Sequence, residues 1–233
     1  ARDPVTSDAP VGVDYTALLN TDALQGKRIG YPTEYVGTNG TVLRPGFEFL
    51  MALATLEEQG ATLVPLSVRL PDIDGYFNTL MAGMKHELPE YLASRSGLPI
   101  QTLQQLIDFN ELNPGAEGYG QQMLNDINEL DMTHSQATEM FGVLSASFKA
   151  AIDEQMAEHN LDAMFADADG YSQFSAAVAG YPAITVPSGM NSDELPTSVF
   201  FFGQRWSEPQ LLALAYSYEQ ASLERQNPAF REQ

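Results

Sequence analysis

KRIGYPTEYVGTNGTVLRPGFEFLMALATLEEQGATLVPLSV, residues 27–68, is the stretch that decides the fold. KRIGYP reads as a short strand ended by Pro32, and Pro45 then opens a helical pattern carried by Phe49, Leu50, Leu53 and Leu56. Gly60 caps that helix, and ATLVPLSV supplies a second strand. Strand, helix and strand within about forty residues make a βαβ unit, whose strands run parallel with a right-handed crossover.

Outward from this unit, the chain alternates. Residues 76–95 read as helix with a break near Pro89, 102–110 as a helix behind a Thr102 cap, and 121–130 as a third. A long amphipathic helix is predicted from Thr133 to about His159, with Met140, Val143, Leu144, Phe148 and Ile152 near one face. LDAMFA, the run Ala183 to Val186 and SVFFFG have strand length, and a short helix over 174–179 separates the first two. Gly180 suits the position after that helix, and Pro182 the start of a strand predicted to be buried on both faces. Ser207 is a plausible N-cap for a last helix over 208–226, with Leu211, Leu212, Leu214, Ala215 and Tyr218 inward. Strands alternating with helices predict an α/β fold, a three-layer α/β/α sandwich around a mixed, largely parallel sheet.

Composition bounds the rest. The 233 residues suit one large domain better than two. A net charge of -20 repels phosphate backbones, and no basic patch offsets it, so neither nucleic acid nor a membrane is expected as partner. The chain has no cysteine, which removes disulfides, thiol catalysis and cysteine metal sites but fits a cytoplasmic or a periplasmic protein equally. The start, ARDPVTSDAPVGVDYT, lacks a basic segment followed by an apolar one and is not read as a signal peptide.

Each candidate nucleophile also has a plain structural reading. Ser188 stands in V-P-S-G-M rather than G-x-S-x-G, so it is read as part of a turn after a strand. Ser145 and Lys149 share a helix face, but their spacing of four differs from S-x-x-K, and a solvated lysine is the expectation. His86, His134 and His159 sit in polar contexts and read as surface histidines. ADADGYS, from Ala166, misplaces its glycine for a calcium loop, and HELPE, from His86, lacks the second histidine of a zinc motif. No metal ligand set and no cofactor is expected.

AAVAGYPAITVPSG and LPTSVFFFGQRWSEPQLLALAYSYEQAS resemble the C-terminal portion of the amidase signature family. LQGKRIGYP, MKHELPEYLASR, LQQLIDFN, YGQQML and LDAMFAD agree with it in order, and the bacterial amidases that include peptide amidase are the most similar subgroup. The resemblance implies a hydrolase of small amides or peptide amides that works through a serine, a cis-serine and a lysine, without cofactor. It also implies that those three residues lie in an N-terminal half that this chain lacks. Lys27, Lys85 and Lys149 stand in family contexts that are not the catalytic lysine, so the chain carries no catalytic residue of its own and is expected to be inactive alone. The expected partner is that other half, or a second copy through the exposed face. The alternatives are a non-catalytic binding module and a subunit that complements a separate N-terminal half. Whatever the family, ligands of open α/β sheets bind beyond the carboxyl ends of strands. The loop after LDAMFA is therefore the predicted cleft wall: Tyr171 against an apolar group, Ser172 and Gln173 hydrogen-bonded to an amide, and Asp167 or Asp169 toward a cation.

Overall fold

The computed structural model describes residues 4–36, 42–44, 46–69, 71, 73–113, 115, 120–167 and 173–227. These fall into two compact units, residues 1–72 with 145–233, and residues 73–144.

The first unit holds the sheet. Strand β1 (Arg28–Val36), helix α1 (Phe47–Glu58) and strand β3 (Thr62–Arg69) are the expected βαβ unit, with β1 and β3 paired in parallel from Arg28↔Thr62 onward. Gly60, at φ +83°, follows the helix as expected. A two-residue strand, β2 (Val42–Leu43), pairs antiparallel with the end of β1. Proline does not end β1. On the edge away from β3, β1 meets β4 (Ala163–Asp167) only at Ile29 and Gly30, and β2 only at Tyr35 and Val36. Pro32 stands between these pairings, where its missing N–H removes no bond of the ladder.

Strand β5 (Ala183–Met190) and strand β6 (Pro196–Phe202) complete six strands in the order β2-β1-β4-β6-β5, with β3 on the far side of β1. β6 is antiparallel to both neighbours, so β1, β3, β4 and β5 share one direction and the sheet is mixed. The burial of β5 differs from expectation: it is an edge strand, with Ala183 and Thr185 exposed and Val186 buried. Among the described residues β5 pairs with β6 alone, antiparallel, so it lies at the margin of the sheet, where the layers that cover the faces reach least far.

One face of the sheet carries Ile29, Ala163, Phe165, Val186, Val199 and Phe201 against Phe49, Leu53 and Leu56 of α1 and Leu211, Leu214 and Tyr218 of α7 (Glu208–Ser222). Phe165 is the centre, with ring centroids 5.4 Å from Phe49, 4.7 Å from Phe201 and 5.9 Å from Tyr218. Met164, Ala166, Phe200 and Phe202, which alternate with these, are buried too, so both faces are covered. Helix α6 (Gln173–Ala179) ends at Gly180, φ +67°, with Tyr181 N–H donating to Ala176 O. Ser207 does precede α7, but its hydroxyl donates to Gln204 O at 2.6 Å rather than capping the helix.

The second unit is helical: α2 (Tyr76–Ala93), α3 (Leu103–Leu112), α4 (Gln122–Glu129) and the first part of α5 (His134–His159). Leu103, Ile107 and Ile127 are its buried centre, with Met81, Leu88, Leu106 and Leu124 around them. Thr102 caps α3 as predicted, accepting from Gln105 N–H at 3.1 Å. Helix α2 passes through Pro89 without a break. Along α5, Ala137, Leu144, Phe148, Ile152 and Met156 are buried, while Met140 and Val143, expected inward, are exposed.

Candidate functional site

Because β1, β3, β4 and β5 share a direction, their last residues, Val36, Arg69, Asp167 and Met190, lie at one edge of the sheet. Asp167 ends β4, half-buried, in register with Val199 of β6. Asp169, Tyr171 and Ser172 lie outside the described residues, as does most of the ADADGYS run, and Gln173 is placed only as the first backbone position of α6.

The neighbouring strands add groups that the sequence reading missed. Ser188 lies within β5, not in a turn after it, at a register shift between Pro187 and Gly189. Its hydroxyl donates to Thr197 Oγ1 of β6 at 3.0 Å. A serine so bonded, with no histidine or lysine against it in the described contacts, bridges two strands. Gly189 has φ +122°, and a Cβ there would meet Glu224 Oε2 at 3.3 Å, so the glycine admits a carboxylate to this edge. The 191–195 turn closes on Asn191, whose Oδ1 accepts from Asp193 and Leu195 N–H at 2.9 and 3.0 Å. Asp167, Asp193, Glu194 and Glu224 thus give this edge an acidic character suited to a cationic group. No local pattern announces Glu224 or the Ser188–Thr197 pair, because the pair depends on strand register and Glu224 on how the chain after α7 packs against β5. Beneath them, burial, with the Glu224 carboxylate adding, pushes the Tyr218 phenol up to about 12.

The opposite edge carries a second polar group. Asp153 accepts from Tyr181 OH at 2.9 Å and from Gln204 Nε2 at 2.9 Å, and burial followed by that hydrogen bond pushes the Tyr181 phenol up to about 12. Arg205 Nη2 donates to Asp8 Oδ1 at 2.7 Å. Each of these groups is satisfied by its neighbours and reads as architecture.

The remaining candidates are committed elsewhere. Lys27 Nζ pairs with Asp162 Oδ1 at 2.9 Å, while Asp162 Oδ2 accepts from Arg28 N–H at 2.9 Å. Lys85 Nζ donates to Asn128 O and Leu130 O, both at 2.8 Å, and Lys149 is exposed while Ser145 is buried. His86 Nε2 donates to Met132 O at 2.8 Å and His134 Nε2 to Glu87 Oε1 at 3.2 Å. Among the described residues, no three His, Cys, Asp or Glu side chains converge on a point that a metal ion could occupy. No helix among them is long and apolar enough to cross a membrane.

No family model matches the chain. It is 27% identical to a probable amidase of Arabidopsis thaliana, over 93% of this chain and 42% of that protein. It is 26% identical to a component of the glutamyl-tRNA(Gln) amidotransferase of Acinetobacter baylyi, over 89% of this chain and 47% of that one. The solved structure of native peptide amidase from Stenotrophomonas maltophilia matches with a TM-score of 0.76 and 30% identity, over 99% of this chain and 50% of that one. These relatives and structural neighbours are members of the amidase signature family, and the α/β fold is theirs. The chain spans about half the length of the curated relatives it matches.

Proposed function

We propose that this chain is the C-terminal half of an amidase signature amide hydrolase, supplying part of the sheet and one wall of the cleft in which a carboxamide is cleaved. The observation that carries the reading is the unequal match to peptide amidase: 99% of this chain against 50% of that one, at 30% identity. Correspondence along the whole of one chain and half of the other is what half of a fold produces.

In this reading the nucleophile comes from the other half. A serine Oγ attacks the carboxamide carbon with a lysine as ultimate base, the C–N bond breaks, and the nitrogen leaves with a proton. Water then cleaves the acyl-enzyme to a carboxylic acid and returns the serine. The work of this chain is binding and orientation. The segment from Asp167 to Gln173 leaves the carboxyl end of β4, where open sheets bind ligands. Tyr171 packs on an apolar part of the substrate, Ser172 and Gln173 hydrogen-bond its amide, and Asp167 or Asp169 favours a cationic one.

The test is made in the longer enzyme. Tyr171→Ala and Gln173→Ala are expected to change the ratio of kcat/KM between apolar and polar amides by about 1–3 kcal/mol, with the thermal midpoint unchanged. Unaltered ratios for both variants across an amide panel would remove the segment from the cleft.

A further inference from the structure

Independently of that reading, the helical unit contains a groove that nothing in the sheet explains. It is open to solvent and has a volume of about 420 Å³ between α2 and the start of α5, within the usual ligand-pocket range of roughly 300–1,000 Å³. Leu80 and Met84 form one wall, Ala137 and Phe141 the other, and the Glu87–His134 pair closes one end. Leu80 is 47% exposed, and Met84 and Phe141 are each 37% exposed, so these three side chains face solvent, while Ala137 is buried. Gly83 opens the space between them. A Cβ built there meets only Glu87 Oε1, at 4.0 Å. A glycine inside a helix costs about 1 kcal/mol against alanine, and here that cost is not explained by any close neighbour.

The charge at the end of the groove selects the ligand. Glu87 accepts from His134 through Oε1, and among the described residues Oε2 has no hydrogen-bond partner. Lys85, the nearest lysine on α2, is held by Asn128 O and Leu130 O and does not line the groove. We infer that this groove binds a small organic cation, its ammonium on Glu87 Oε2 and its aryl or branched aliphatic body between Leu80, Met84, Ala137 and Phe141. Charge-assisted hydrogen bonding supplies direction, and burial of the exposed apolar walls supplies the rest.

The test uses the 233-residue chain and 2-phenylethylammonium chloride as probe, followed by amide and methyl chemical shifts. Saturable shifts at Leu80, Met84, Ala137 and Phe141 are expected, with a millimolar dissociation constant, the range open to so small a ligand. Gly83→Leu fills the groove while improving helix propensity, so it should weaken binding at least about tenfold without lowering the thermal midpoint. Gly142→Ala makes a similar propensity change where nothing lies within 4 Å, and it should leave binding intact. Glu87→Gln should weaken the amine about five- to tenfold and leave neutral 3-phenylpropan-1-ol unaffected. No saturable binding, or binding that survives Gly83→Leu, would overturn the site. Equal affinity for the amine and the alcohol would overturn the choice of a cation.

Discussion

Tyr218 shows burial and charge acting on one atom. Its side chain is 1% exposed among Phe165 and Phe201, and the nearby Glu224 carboxylate adds to the raised pKa. A phenol raised from about 10 to about 12 keeps its proton longer in the folded state than in the unfolded one. Stability is therefore intact below pH 10 and falls as pH rises from 10 to 12. Tyr218→Phe removes the group that titrates, so alkaline denaturation in urea should show a smaller loss over that window, by up to about 3 kcal/mol. An identical loss in the variant would assign the alkaline transition to other groups. At this scale the sequence was partly legible. Gly60, Thr102 and Gly180 take the roles their types suggest, because a positive φ or a cap is a local demand. Ser188 and Ser207 do not, because each hydroxyl found a partner that folding supplied: Thr197 across the sheet, and Gln204 O three residues back.

Among the elements, α2 departs furthest from local expectation. Pro89 lacks the N–H that would reach back to Lys85 O, a loss that usually breaks a helix, yet α2 runs on to Ala93. Contacts before the proline hold it: Lys85 Nζ on two carbonyls, His86 on Met132 O, and Met81 and Leu88 against the Leu103–Ile107–Ile127 centre. Since the contacts and not the backbone sustain this turn, Pro89→Ala should raise stability by about 1–3 kcal/mol in thermal or urea unfolding. A lower midpoint would mean that the ring itself packs an essential contact. The same logic explains the other misreadings. The spacing of Met140 and Val143 allowed an inward face, but packing buried the row from Ala137 through Leu144 to Met156. The apolar run in β5 fitted a central strand, and only the pairing with β6 alone reveals an edge. Elements whose cues are periodic and local were readable; their surroundings were not.

Across the whole molecule, the βαβ unit and the alternation after it carried the α/β reading, since parallel pairing follows from the crossover itself. The division into residues 1–72 with 145–233 and residues 73–144 was not legible, because compactness depends on contacts that sequence spacing does not state. The candidate site was legible only as far as the carboxyl end of β4. The acidic groups that join it, Asp193 and Glu194 from the turn after β5 and Glu224 from the chain beyond α7, required the strand pairing and the packing of that chain against Gly189. The half-length match to amidases is the central functional observation, and it is tested by turnover. The 233-residue chain and the longest protein encoded by its gene are assayed side by side for ammonia release from a panel of carboxamides and peptide amides, with and without a serine-directed label. Label-sensitive turnover by the longer protein, and none at an enzymatic rate by the 233-residue chain, is the predicted result. Label-sensitive turnover by the 233-residue chain alone would contradict it, because the nucleophile would then lie within those 233 residues.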